Sequence, residues 1–224
     1  MRLIVCCLLA FAACGDSSDS GTASPDAMQS LDAGSFADAP AARTGLTVVW
    51  TAQPMLPGPF ATNVNVSSVK LELARLEVIG DAGSTTATTT TNVEARWSVN
   101  GEPFPFNFSF APPGIYSQVS LRIDGNVVAP SYEILGTVLI NGATEQFKIS
   151  DTDVLLVDIP GYNVILAAGL QADIPIQVEL QNALDQVNFA ALPVDMGKRT
   201  MNQTTTGIAA VRTALRTMTF VPGN

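Results

Sequence analysis

Leu46, Val48 and Trp50 alternate with Thr47, Val49 and Thr51, the period of two that sets one face of a strand on a core. Gln53-Pro54 interrupts it. The alternation returns in Val69, Leu71 and Leu73 against Lys70 and Glu72, changes parity at Ala74-Arg75 and resumes with Leu76 and Val78. That change predicts a β-bulge, because one inserted residue turns every later side chain to the other face. Residues 94–99, around Trp97, predict a short strand. Phe104, Phe106, Phe108 and Phe110 alternate with Pro105, Asn107 and Ser109, so four rings share a face. Rings at strand spacing in a chain with few charges predict core rather than a ligand platform. Pro105 cannot donate to a ladder and predicts an edge strand.

Pro112-Pro113-Gly114 predicts a tight turn before a strand carrying Val119, Leu121 and Ile123, which Asp124-Gly125 ends. Residues 133–140 and 145–149 flank Asn141-Gly142, the dipeptide suited to the positive φ angles of a type I′ hairpin. Residues 154–159 and 173–180 predict two more strands, with Pro175 implying an edge or a strand start. Residues 84–91 are rich in threonine without alternation and predict a loop, a glycosylated or adhesive tract being the alternative.

Beyond Leu180 the period changes. Asn182 can cap a helix with Asp185 at its third position, and Leu184, Val187 and Ala191 follow at helical spacing before Pro193. Ile208, Val211, Leu215 and Met218 repeat the pattern after Thr206, a candidate cap; residues 217–221 alternatively form a last strand. Arg212 and Arg216 stand one turn apart near the helix end, where cations complement the dipole; a basic docking patch is the alternative. About seven or eight short strands, broken by Pro/Gly turns and without strand–helix alternation, predict a mainly β chain: an antiparallel β-sandwich with a short C-terminal helical appendage.

Ahead of these strands the composition shifts twice. Residues 3–11 are apolar behind Arg2, the small residues Ala12 and Ala13 precede Cys14, and Gly15-Asp16-Ser17-Ser18-Asp19 follows at once. The apolar run is far short of the roughly 20 residues a membrane span needs. Residues 15–43 are built mainly from Ser, Asp, Ala and Gly and cannot bury enough surface to fold; a flexible coil of that length spans on the order of 30 Å. The expected organisation is a leader at 1–13, a tether at 14–44 and one domain at 45–224.

The order of residues around Cys14 resembles the lipobox of bacterial lipoproteins, with Phe11 where that family prefers leucine. The resemblance implies lipidation of Cys14, loss of residues 1–13 and a lipid anchor in the cell envelope, at the outer membrane. Ala10-Phe11-Ala12 also fits an ordinary secretory cleavage, which would leave a secreted or periplasmic protein. The strands at residues 46–53 and 69–80, with the Pro-Gly-x-Tyr turn ending at Tyr116, resemble a family of bacterial lipoprotein domains of unknown function. That resemblance implies a transthyretin-like or immunoglobulin-like sandwich and brings no catalytic residues.

Composition narrows the chemistry. From residue 45 onward there are fifteen Asp plus Glu against nine Lys plus Arg, a net of −6, a field that repels phosphate backbones, so nucleic acid is not expected as a partner. Cys6 and Cys7 fall in the leader and Cys14 at the anchor, so the domain has no cysteine for a disulfide. With no histidine in the chain, the commonest general base and the usual zinc ligand are missing. No cofactor is expected.

Two groups of residues remain as candidates. Asp151 and Asp153, beside Ser150 and Thr152, offer oxygen ligands of the kind calcium takes, although an Asx-rich turn between strands accounts for them too. Trp97, Tyr116, Tyr132 and Tyr162 are candidates for a sugar-binding face. The expected function is a membrane-anchored, non-catalytic binding or assembly module with an envelope protein or polysaccharide as partner. The alternatives are a carbohydrate-binding module on a lipoprotein and a histidine-independent acidic hydrolase using paired carboxylates.

Overall fold

A computed structural model describes residues 44–60, 63–81, 87–125 and 129–221. The leader, Cys14 and the tether before residue 44 lie outside them, as do the side chains of Tyr162 and of residues 87–89. The described residues are mainly β, in two sheets. In chain order the strands are β1 (Gly45–Gln53), β2 (Gly58–Phe60), β3 (Val64–Gly80), β4 (Ala87–Thr90), β5 (Val93–Trp97), β6 (Phe106–Phe108) and β7 (Gly114–Ile123). There follow β8 (Tyr132–Ile140), β9 (Ala143–Asp151), β10 (Leu155–Leu166), β11 (Gln171–Glu179), β12 (Val194–Asp195), β13 (Lys198–Met201) and β14 (Thr219–Phe220). Two helices, α1 (Gln181–Asp185) and α2 (Ile208–Arg216), and one 3₁₀ turn, Phe189–Ala191, complete the elements.

The smaller sheet has the order β14-β11-β1-β6, and the larger follows β10-β7-β3-β8-β9-β13-β12, with β2, β4 and β5 also paired to β3. β3 is the hub. Along one edge it meets β8 as far as Leu71 and β7 from Leu73, and the β7 pairing shifts register between Leu73 and Arg75. This is the bulge that the parity change at Ala74-Arg75 predicts; a second shift, between Val66 and Ser68, was not anticipated. The hairpin also lies where its dipeptide puts it: Asn141 (φ 51°) and Gly142 (φ 82°) join Ile140 to Ala143. Leu46, Val48 and Trp50 are buried in one apolar cluster that draws on both sheets.

Several expectations need correction. Among the described residues fourteen strands replace seven or eight, the surplus being mostly pieces of two to four residues, too short for alternation to register. Two pairings are parallel, β1 with β11 and β9 with β13. Parallel partners need a long crossover; the chain from β2 through β10 supplies it for the first pair, and the chain from β10 through β12 for the second. Part of the threonine tract is strand β4, paired antiparallel to Leu76–Ile79 of β3, since β-branched side chains suit a ladder even without an apolar face.

The four-ring row is split. Phe108 is buried and touches Phe106 edge-on at 4.8 Å, but Phe104 and Phe110 are 92% and 97% exposed. β6 has only three residues, so the chain leaves the sheet before either outer ring reaches the core. β6 is the terminal strand of its sheet, beginning just after Pro105. Pro175 stands mid-strand in β11, beside Val49 of β1. Its carbonyl accepts from the Val221 N–H at 3.2 Å, so the missing donor faces the side that β14 covers only at Ile176 and Gln177.

Neither predicted cap forms. α1 starts after Leu180, with Asn182 inside it, and α2 starts after Gly207 at φ 99° rather than Thr206. The helical pattern expected through Ala191 breaks into the 3₁₀ turn, whose Phe189 ring packs against Phe147 at 4.8 Å. Residues 219–220 are strand, and α2 buries Ile208, Val211, Ala214 and Leu215. No helix among the described residues is long and apolar enough to cross a membrane.

Candidate functional site

Tyr132, the first residue of β8, and Asp151, the last of β9, are cross-strand partners. Both are buried, and the Tyr132 hydroxyl donates to Asp151 Oδ2 at 3.0 Å. α2 brings in Arg212, whose Nε donates to Oδ2 at 2.6 Å and Nη2 to Oδ1 at 3.1 Å, a bidentate fork. Arg212 Nη1 meets Asp153 Oδ2 at 2.7 Å, and the Asp153 backbone N–H donates to Asp151 Oδ1 at 3.1 Å. The two candidate calcium ligands therefore share one guanidinium, and the oxygens of Asp151 accept four hydrogen bonds from protein groups. The Asx-turn account describes this stretch better than the calcium one. Arg212 acts as an internal counterion rather than as a helix-dipole partner or a docking patch.

Burial opposes ionisation of Asp151, but the hydrogen bonds from Arg212, the Asp153 N–H and Tyr132 outweigh it and hold the carboxyl below its ordinary value. Burial and the Asp151 charge push the Tyr132 phenol well above its ordinary value. Beside this cluster a 240 Å³ cleft is lined by Ser150, Asp151, Thr152, Asn202 and Gln203, with the Thr152 hydroxyl donating to Gln203 Oε1 across it. Among the described residues no group of three or more Asp, Glu, Cys or His is arranged to hold a metal ion.

The aromatic candidates do not form a platform. Trp97 and Tyr132 are buried on the apolar parity of their strands; Tyr116 is buried on the opposite parity to Val119, Leu121 and Ile123, beyond a register shift, and donates to the Pro112 carbonyl at 2.6 Å, pinning the turn that precedes β7. The Trp97 indole N–H is buried without a hydrogen-bond partner. The Tyr162 side chain lies outside the described residues.

The exposed aromatic ring with polar neighbours is Phe104. It shares a 220 Å³ cleft with Glu94, Arg96, Ser98, Asn100 and Glu102, closed at one end by the turn in which Ser98 and Gly101 exchange backbone bonds of 3.0 and 2.9 Å. Arg96 Nε reaches Glu94 Oε1 at 2.7 Å and Lys70 Nζ reaches Oε2 at 3.3 Å. The Arg96 hydrogen bond, with Lys70 adding to it, holds Glu94 below the ordinary carboxylate range. Sequence reasoning missed this cleft because it assigned Phe104 to the core. A larger groove, of 400 Å³, runs between α1 and α2 over Ala183, Ala209, Ala210 and Thr213, with Glu179, Asn182 and Gln186 as its larger polar side chains. No protein-family model matches this chain, and no curated protein or solved structure matches it either.

Proposed function

We propose that the chain is a non-catalytic binding or assembly module of the bacterial cell envelope, held at the outer membrane by acyl chains on Cys14. On this reading the tether of residues 14–44 carries one recognition domain, and the two sheets are the layers of a sandwich of the transthyretin-like or immunoglobulin-like kind, with α1 and α2 as its appendage. The observation that carries the proposal is the contrast between polar and apolar groups. Asp151, the buried carboxylate, is saturated by internal partners, while the large side chains offered to solvent at the free edge strand β6 are the rings of Phe104 and Phe110. An edge strand flanked by exposed rings suits recognition by strand addition or by a hydrophobic partner patch. Glu94, held below the ordinary carboxylate range by the Arg96 hydrogen bond, is ill suited to the proton-donating role in the acidic-hydrolase alternative.

The anchor is tested by growth with labelled palmitate: the wild type should incorporate label and Cys14→Ala should not. Proximity labelling from the anchored chain should recover an envelope protein, and Phe104→Ala should weaken its capture. Turnover of a substrate by the purified chain, abolished by one Asp or Glu substitution, would refute the non-catalytic reading. The carbohydrate alternative moves from the buried tryptophan and tyrosines to Phe104, whose ring lies beside Asn100 and two carboxylates as a sugar site requires. Glycan-array binding lost in Phe104→Ala, with the fold intact, would favour it over a protein partner.

A further inference from the structure

The chain enters the described fold at Thr44, and the surface around that point is uncharged. Thr44 and Gly45 line a 180 Å³ cleft with Ser109, Ala111 and the residues from Leu166 to Leu170, and no charged side chain contributes to it. Gly45 N–H donates to the Leu170 carbonyl at 2.9 Å, which ties the start of β1 to the loop between β10 and β11. At φ 94° Gly45 also lies so near β6 that an added Cβ would stand 2.2 Å from the Phe108 carbonyl oxygen. Three large apolar side chains rim this end: Phe110 at 97% exposure, Ile165 at 70% and Leu170 at 60%. Ile165 is paired across the ladder with Ile115, itself exposed.

The sequence around these residues is free of charge over long spans. Residues 44–69, 103–121 and 159–172 contain no Asp, Glu, Lys or Arg. Acids beside these spans include Asp81, whose backbone N–H donates to the Ile115 carbonyl, and Asp173, paired with Thr47 in the ladder of β1 and β11 and bonded by the Gln171 side chain. The loops also turn backbone and hydroxyl bonds inward: Ala111 N–H to the Phe108 carbonyl at 3.1 Å, Leu170 N–H to the Ala167 carbonyl at 3.1 Å, and the Tyr116 hydroxyl to the Pro112 carbonyl. Apolar tips whose polar groups are bonded internally lose little on leaving water.

We propose that this uncharged end is a lipid-contacting face, with Phe110, Leu170 and Ile165 seated at the headgroup–acyl boundary of a bilayer of low surface charge. The location of Thr44 selects lipid over other occupants. The chain towards Cys14 leaves the fold from the same surface, so an anchored chain presents this end first. A tether of roughly 30 residues supplies an effective concentration on the order of millimolar, enough to engage a face too weak to bind a bilayer unaided. The net charge of −6 from residue 45 onward is repelled by anionic headgroups, and among the described residues no cation lines this cleft to offset it. The inference deepens the anchored reading and rests on it for delivery to the membrane.

The test places a reporter in the lipidated chain, reconstituted in phosphatidylcholine vesicles with brominated acyl chains. Trp50 and Trp97 are buried and give a constant background. Phe110→Trp should lose emission to the bromines and shift to the blue. Phe104→Trp, at the other end of β6 and among Glu94, Arg96 and Glu102, should do neither. Equal quenching of both, or of neither, overturns the lipid face. A blue shift of Phe110→Trp that grows with protein concentration in lipid-free solution assigns the face to a second copy instead and also overturns it. Palmitate incorporation reads the anchor separately. If no label enters, the Phe110→Trp chain is coupled through the Cys14 thiol to a maleimide-bearing lipid of the same vesicles; quenching there keeps the lipid face without the natural anchor, and its absence removes both.

Discussion

The corner around Asp151 and the end around Thr44 handle unfavourable groups in opposite ways. At the corner a carboxylate is taken out of water, and a guanidinium, a phenol and a backbone N–H converge on it. At the end, aliphatic and aromatic side chains are left in water with nothing among the described residues covering them. Removing one partner from a buried ion pair leaves an uncompensated charge, so the corner is held by the cost of undoing it. Exposed apolar groups contribute little to folding and are free to be used in contact with something else. The polar cluster is thus an element of architecture, and the plain apolar surface is where recognition is expected.

The comparison breaks first at Arg212. Arg212→Ala should lower stability by about 3–5 kcal/mol, because Asp151 stays buried without its counterion; a loss below 1 kcal/mol in urea titration would mean that the corner is loosely packed and hydrated. The pH dependence sharpens the same point. Asp151 titrates below its ordinary value in the folded chain, so the unfolded state binds a proton first as the pH falls. Its contribution is complete above the ordinary aspartate value of 3.8 and is lost as the pH drops through the depressed folded value. The acid limb of a melting-temperature profile should flatten in Asp151→Asn.

Tyr132→Phe comes next. It removes one hydrogen bond to a charged acceptor and should cost about 1.5–3 kcal/mol. It should also remove an alkaline loss of stability: the folded phenol titrates above its ordinary value of 10, so the unfolded chain releases that proton first as the pH rises. Gly142→Val, at φ 82°, should cost about 1–2 kcal/mol, since a β-branched residue resists the left-handed region. An unchanged melting point would show that the hairpin has rearranged. The smallest effect belongs to the other side of the comparison: Phe110→Ser should change stability by less than about 0.5 kcal/mol, as exposed side chains do. A large loss would show that the ring is packed and would remove the contrast.

Period-two alternation, the parity change at Ala74-Arg75 and the Asn141-Gly142 dipeptide act over a few residues, and the bulge and hairpin were legible from them alone. The absence of histidine throughout, and of cysteine from residue 45 onward, limited the available chemistry in the same direct way. Tertiary structure alone decided the rest. Asp151 and Arg212 are 61 positions apart, and nothing local to either announces that a helix will close one over the other. The sequence therefore left calcium open beside the Asx-rich turn at Asp151 and Asp153, although Arg212 pairs with both. Phe104 and Phe110 carry the same spacing as Phe106 and Phe108, yet β6 holds ladder geometry for three residues only, opposite Leu46, Thr47 and Val48 of the nine-residue β1. Alternation identifies a face of a strand, but where the strand ends, what it pairs with and whether anything covers that face depend on chain segments far away in sequence.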